Sequence, residues 1–211
     1  MSEKFRTPVT VEDHLQDLQK LMDQLGVVKP VLIGESIGGA IVLKFAARFP
    51  ERIRAVIAIN PLVKMTMTGP PANPSLANGR DTPKLLETQG IRAYLDEDLD
   101  WLYPKELRTP DRMNRFMGIE VSQDPDNRAS AMRMQKMGAD IRDELPRISC
   151  PVLLIAGMLN STYTEAQWRE VRAAIPGARL ETIRSAHHAA FESPELVRPL
   201  LHTFLQSLPR H

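Results

Sequence analysis

The chain has 211 residues, of which 43% are hydrophobic, which is enough for one packed globular domain. Its 27 basic and 26 acidic residues nearly balance and form no basic stripe, so the sequence argues against a nucleic-acid partner. No apolar run approaches the roughly 20 residues that a membrane span needs. A single cysteine, Cys150, and a polar N-terminal stretch predict a cytoplasmic protein.

Helices and strands alternate in the first sixty residues. The pattern predicts a helix over 11–25 that stops at Gly26, a strand over 27–33 buried on both faces, a helix from Ile37 to Phe49-Pro50, and a buried strand over 55–59. The first helix begins with a capping-box pattern, Thr10 followed by Asp13. The alternation is typical of a parallel α/β sheet.

Residues 61–146 differ, because they contain many prolines and no strand pattern. We interpret them as a helical insertion with helical pieces over 82–86, 91–102 and 129–137. The insertion holds seven of the ten methionines: Met65, Met67, Met113, Met117, Met132, Met134 and Met137. These methionines have two interpretations, namely core filling and an adaptable lining for an apolar ligand.

The sheet pattern resumes after the insertion. It predicts a strand over 151–157, a helix capped by Thr164 and Gln167, a strand over 178–183 and a last helix over 194–208. The predicted fold is therefore α/β, with a mostly parallel sheet of four strands flanked by helices. Residues 1–60 and 147–211 form its core, and residues 61–146 form a helical cap insertion.

One motif carries chemistry, the G-x-S-x-G sequence Gly34-Glu35-Ser36-Ile37-Gly38 between a predicted strand and a predicted helix. In that place it predicts a nucleophile elbow, where bulky residues at either glycine would collide with the tight turn. The helix then aims its first N–H, that of Ile37, and its positive dipole end at any oxyanion formed at Ser36. The alternative is a tight turn without chemistry. Phosphate-loop and dinucleotide motifs are excluded, since no Gly-Lys-Ser/Thr follows and Ser36 replaces the second glycine.

Together with the insertion and the segment Ser-Ala-His187-His-Ala-Ala-Phe-Glu192-Ser-Pro194, this motif resembles the α/β-hydrolase superfamily. The resemblance implies that Ser36 is the nucleophile and His187 the general base, which takes the proton of a hydroxyl that is otherwise a poor nucleophile. His188 is the minor alternative. The remaining histidines, His14, His202 and His211, are expected to be solvent-exposed. The resemblance implies no metal and no organic cofactor.

The chain departs from the family at the triad acid, where Gly157-Met-Leu-Asn160 places an asparagine. An amide at Asn160 can accept a hydrogen bond from the imidazole but cannot stabilise an imidazolium by charge. The family's other acid position is also an asparagine, Asn60. Two glutamates are near in sequence, but we expect Glu165 to open a helix and Glu192 to cap the last helix.

The second departure concerns the start of the domain. The family's core normally begins with four strands and a helix, whose loops supply a second oxyanion N–H, and we expect this chain to begin after them. The strand over 27–33 would then present an open apolar edge, and such edges recruit a partner strand. The sequence therefore predicts self-association through this edge.

The leading hypothesis is a serine hydrolase that acts on a small ester, lactone or related carbonyl compound. One alternative, favoured by Asn160, is a non-catalytic binding or interaction protein, and another is a fragment of a longer hydrolase. The substrate contacts are open. Arg112, Arg115, Trp101 and Tyr103 could contact a ligand, and the alternatives are a solvated surface for the two arginines and a core position for Trp101.

Overall fold

The computed structural model describes residues 9–63, 81–138, 140–159 and 163–209, without the side chains of 135–138. Four parallel strands form one sheet in the order β1-β2-β3-β4. They are β1 (Val31–Glu35), β2 (Ala55–Ile59), β3 (Val152–Gly157) and β4 (Arg179–Ile183). The predicted α/β fold with a four-stranded parallel sheet is confirmed.

Helices alternate with these strands and also make up the insertion. They are α1 (Val11–Gln24), α2 (Ile37–Arg48), α3 (Thr82–Leu102), α4 (Pro110–Val121), α5 (Pro125–Gly138), α6 (Glu165–Ala174), α7 (Ala189–Glu192) and α8 (Pro194–Ser207). Capping boxes at Thr10 and Thr164 begin α1 and α6, as their sequence patterns predict. The two predicted pieces at 82–86 and 91–102 are the two helical segments of α3, which are separated by a kink at Gly90 (φ 80°), a conformation that favours glycine.

The sheet lies between two helical layers, which is why β2 and β3 are buried along their whole length. Alternate residues of each strand face opposite sides. Val56 and Leu154 pack against α1, α2 and α6, whereas Ile57 and Ile155 pack against α8. This arrangement places the carboxyl ends of all four strands at one edge, where loops in parallel α/β proteins commonly carry function. No helix in the described part of the chain is long and apolar enough to cross a membrane.

The first strand was predicted over 27–33, but β1 occupies Val31–Glu35. Lys29 has a left-handed backbone (φ 48°), which interrupts the extended chain ahead of β1, and Pro30 pairs only through its carbonyl, which accepts the N–H of Arg54 at 2.9 Å. The prediction of burial on both faces is also wrong for this strand, since Ile33 is 52% exposed. The reason is that β1 pairs only with β2 and is an edge strand of the described sheet. Self-association through this edge stays a prediction.

The helices of the insertion have a hydrophobic cluster of their own, built on Leu86, Leu95, Leu102 and Phe116. Four of its methionines pack into the protein: Met134 is buried, and Met113, Met117 and Met132 lie partly buried against this cluster. Core filling therefore describes these four. Met65 and Met67 lie outside the described residues, as does the side chain of Met137.

Candidate active site

Ser36 occupies the turn between β1 and α2, with φ 57° and ψ −122°. A non-glycine residue with such a backbone stores about 1–3 kcal/mol of strain, which surrounding contacts must hold. The Ser36 N–H donates to the carbonyl of Ile59 at 2.9 Å, and its own carbonyl accepts from the N–H of Leu62 at 3.1 Å. The end of β2 therefore holds the serine in the strained geometry of a nucleophile elbow.

The glycines of the motif have unequal roles. A Cβ at Gly34 would overlap the backbone carbonyl of Gly38, so Gly34 must lack a side chain. At Gly38 the expected collision is absent, because a Cβ there would meet nothing within 4 Å. The second close approach is at the next residue, Gly39, whose Cβ would lie 2.9 Å from Cβ of Pro61. The predicted crowding is therefore present at Gly34, but at the helical end of the motif it occurs at Gly39 and not at Gly38.

His187 lies beside the serine, with Nε2 at 2.9 Å from Ser36 Oγ. In the tautomer protonated at Nδ1, the serine hydroxyl donates to Nε2, which is the geometry of a nucleophile and its general base. The two residues are 151 positions apart, and the structure brings them together as the motifs predicted. The indole of Trp101 in α3 packs on the imidazole with ring centroids 5.1 Å apart.

Burial, followed by the charges of His188 and Arg128, holds the pKa of His187 well below its ordinary value of 6.5. The imidazole is therefore neutral at neutral pH, which is the state that can accept the serine proton. Among the described residues, no carboxylate hydrogen-bonds to His187. The Asn160 position, the predicted third member, lies outside the described residues.

This lowered pKa predicts the pH dependence of activity. Because the neutral form of His187 persists as the pH falls, the acid limb of the rate of reaction at Ser36 is expected below pH 6.5. The measurement is a pH profile of the rate at which a fluorophosphonate labels Ser36. Arg128→Gln removes one charge that disfavours protonation, so the limb should move upward in that variant. A wild-type limb at or above pH 6.5 would contradict this account.

His188, the minor alternative base, points elsewhere. Its Nδ1 lies 3.6 Å from a carboxylate oxygen of Glu35, the variable residue before the serine. The other oxygen of Glu35 accepts the N–H of Ala190 at 3.2 Å. Glu35 therefore joins the elbow to the histidine loop, a contact that the sequence did not indicate. Of the other histidines, His202 is exposed and His14 is half-buried, while His211 is outside the described residues.

Glu192 was expected to cap the last helix, and this prediction is wrong. The carboxylate is fully buried and accepts hydrogen bonds from the N–H groups of Ala186 (2.9 Å) and His188 (3.1 Å) and from the Ser185 hydroxyl (3.2 Å). Burial raises the pKa of Glu192 and outweighs the opposing effect of these bonds and of the His188 charge. Glu192 therefore holds the histidine loop from one side. Glu165, by contrast, is the first residue of α6, as predicted.

Replacing Glu192 with glutamine is expected to lower the free energy of unfolding by about 1–3 kcal/mol, because an NH₂ group would face buried N–H donors in place of an acceptor. The measurement is urea unfolding. Glu181→Gln is the matched control, since Glu181 is partly exposed and pairs with Arg179 at 3.8 Å. Its loss should stay below about 1 kcal/mol. Equal losses in the two variants would show that the buried bonds of Glu192 carry no stability.

On the opposite side of the loop, Asn60 is also buried. Its amide Nδ2 donates to the carbonyls of Ala186 and His187, both at 2.9 Å, and its Oδ1 accepts the N–H of Gly157 at 2.8 Å. The resemblance to the family identifies position 60 only as one where some members carry the triad acid and this chain carries asparagine. Its contacts with a loop more than 120 residues away depend on the tertiary structure and leave no local signal.

Two further groups bear on the chemistry at Ser36. Ile37 is the first residue of α2, so its N–H has no acceptor within the helix and is available beside Ser36. The thiol of Cys150 is buried, and burial raises its pKa to about 11, so it is not a competing nucleophile.

The insertion residues singled out in the sequence occupy different environments. Trp101 is half-buried and contacts His187, whereas Tyr103 is fully buried and packs on Phe116 with centroids 5.2 Å apart. Arg112 lies 3.4 Å from Glu195 of α8, and Arg115 is exposed beside Asp111. Arg115 thus follows the solvated interpretation, whereas Trp101, expected in the core, is only half-buried and contacts His187.

Comparison with known proteins decides the family. The family model for the alpha/beta hydrolase fold matches residues 2–194. The chain belongs to the alpha/beta hydrolase family. A crystal structure of the enol-lactonase from Burkholderia xenovorans LB400 is 27% identical, with a TM-score of 0.84. The match covers 97% of this chain and 76% of that one.

Two further proteins resemble this chain. The 3-oxoadipate enol-lactonase 2 of Acinetobacter baylyi is 24% identical over 189 residues, which are 89% of this chain and 68% of the relative. A thermophilic esterase from Thermogutta terrifontis has 22% identity and a TM-score of 0.83, covering 97% of this chain and 75% of that one, and it shows the shared fold. The relatives named here are hydrolytic enzymes.

Proposed function

We propose that this protein is a serine hydrolase that cleaves a small ester or lactone. The observation that carries the proposal is the 2.9 Å contact between His187 Nε2 and Ser36 Oγ at a strained strand-to-helix turn. The enol-lactonase relatives support the substrate class, because lactones and esters share the reacting carbonyl. Local strain of this kind is most common where it serves a mechanism.

In the proposed reaction, Ser36 Oγ attacks the carbonyl carbon of the substrate while His187 Nε2 takes the hydroxyl proton. The negative charge on the carbonyl oxygen is stabilised by the N–H of Ile37 and the positive end of α2. The single bond between the acyl carbon and the alkoxy oxygen of the ester or lactone then breaks, and the imidazolium gives its proton to the departing alkoxide. A water molecule, deprotonated by His187, hydrolyses the acyl-enzyme and restores the serine.

We also propose that the insertion, residues 61–146, caps this site. Trp101 of α3 packs on the catalytic imidazole, and Arg112 of α4 pairs with Glu195 of α8, so both helices reach the core. An indole over the base excludes water from one side of the imidazole. This proposal places substrate specificity in the insertion.

Hydrolysis of p-nitrophenyl acetate and δ-valerolactone tests the proposed activity. The purified full chain should hydrolyse at least one of these probes, and Ser122→Ala should match it, because among the described residues that hydroxyl bonds to the carbonyl of Ile119 alone. Protein that unfolds cooperatively but hydrolyses neither probe would favour the second candidate, a non-catalytic binding protein. The asparagine at position 160 is the observation that favours that candidate.

A further inference from the structure

Asn60 directly follows β2 and has a left-handed backbone with φ 44°. It is 4% exposed, and all three of its side-chain hydrogen bonds are buried. Two of them reach the carbonyls of Ala186 and His187, and the third joins Gly157 at the end of β3. One side chain therefore links the ends of two central strands to the loop that carries the general base.

Ile59, the residue before Asn60, holds the backbone of Ser36. The carbonyl of Ile59 accepts the N–H of Ser36 at 2.9 Å, and the backbone N–H of Asn60 itself donates to the carbonyl of Ile155 at 2.8 Å. Two consecutive residues thus hold the two partners of the pair, Ile59 the backbone of Ser36 and Asn60 the backbone of His187. Neither loop can shift relative to the other without breaking one of these bonds.

We propose that Asn60 is a positioning residue that sets the imidazole of His187 against the hydroxyl of Ser36. The inference rests on the proposed function, in which this contact transfers the proton. A loss of alignment of about 1 Å at such a pair costs on the order of 10²-fold in rate. Asn60 touches no reacting atom and acts through the backbone of the base.

The arrangement requires an amide and excludes an acid at this position. The two carbonyls need N–H donors, and the N–H of Gly157 needs an acceptor, so the orientation of the Asn60 amide is dictated by its partners. An aspartate would place a carboxylate oxygen against two carbonyl oxygens at 2.9 Å. Asparagine also tolerates the left-handed backbone better than most residues. Asn60 is therefore not a substitute for the missing acid of the triad.

The test uses Asn60→Asp, which keeps shape and removes the donors, and Asn60→Gly, which removes the side chain but suits the left-handed backbone. We expect kcat for ester hydrolysis and the rate of Ser36 labelling by a fluorophosphonate to fall by about ten- to a hundredfold in both variants. KM should stay within about twofold, since ground-state binding does not use the Ser36–His187 contact. Lys44→Met is the control for general destabilisation, because Lys44 is a buried partner of Glu12 (2.9 Å) and Glu144 (3.6 Å).

A second measurement does not need activity. In ¹⁵N NMR spectra, Ser36→Ala should shift the His187 Nε2 resonance in the wild-type background and shift it far less in the Asn60→Gly background. Wild-type labelling rates in both Asn60 variants, or a loss no larger than that of Lys44→Met at equal stability, would overturn the proposal. So would an undiminished Nε2 shift. If wild type is not labelled at all, the proposed function fails, and the NMR comparison alone decides whether Asn60 positions His187.

Discussion

Replacing Ser36 with alanine is expected to lower kcat by about 10³- to 10⁶-fold while the protein stays folded. In the proposed mechanism the serine hydroxyl forms the new bond to the substrate, and in enzymes that use a nucleophile and a base as one unit its loss removes the chemistry of both. The lower end of the range allows for a slow wild-type enzyme, because the chain has Asn160 where the family has the triad carboxylate. Steady-state kinetics on an activated ester measures the effect.

The partner substitution His187→Ala makes this prediction sharper. Because the proposed mechanism has Ser36 and His187 act together through their 2.9 Å contact, the double variant should be about as slow as either single variant. If the fold-loss of kcat in the double variant equalled the product of the two single losses, the two side chains would act independently. Full activity in folded Ser36→Ala would exclude this serine as the nucleophile.

Gly34→Ala is expected to destabilise the fold by about 4 kcal/mol or more, or to prevent folding. The new Cβ would overlap the carbonyl of Gly38 and lie 2.8 Å from the amide nitrogen of Gly39, and backbone atoms at the start of α2 cannot move aside as a flexible side chain can. Yield of folded protein and urea unfolding measure the effect.

The matched control lies in the same motif. At Gly38 the added methyl group of Gly38→Ala meets open space, and the position is helical. Its free energy of unfolding should stay within about 1 kcal/mol of wild type. If the two variants unfold at the same urea concentration, the elbow does not need the close approach of Gly34 to the helix.

Much of the fold could be predicted from periodicity and turn chemistry. The strand over 55–59 matches β2 residue for residue, and the capping boxes at Thr10 and Thr164 mark real helix starts. These signals are local, so the sequence contains all of them. The first strand was misplaced because Val27 and Val28 look apolar and β-branched, yet Val28 is 84% exposed ahead of Pro30.

The reactive pair was predictable, but the residues that hold it were not. Ser36 and His187 occur in recognisable local patterns, and the structure places their reacting atoms in contact. Asn60 and Glu192 hold the histidine loop through backbone groups, and no sequence pattern records which carbonyl or N–H a distant side chain meets. The sequence pattern predicted that Glu192 caps a helix. Instead, its carboxylate accepts the buried N–H groups of the loop, which would otherwise have no acceptor.

Intact-mass spectrometry after treatment with a fluorophosphonate tests the central claim most directly. The account predicts one covalent adduct per wild-type chain, located on Ser36, and none on Ser36→Ala, with labelling of His187→Ala slowed severely. An adduct that forms at the same rate without His187, or no adduct on wild-type protein that unfolds cooperatively, would contradict the claim that this elbow and this imidazole form an active nucleophile.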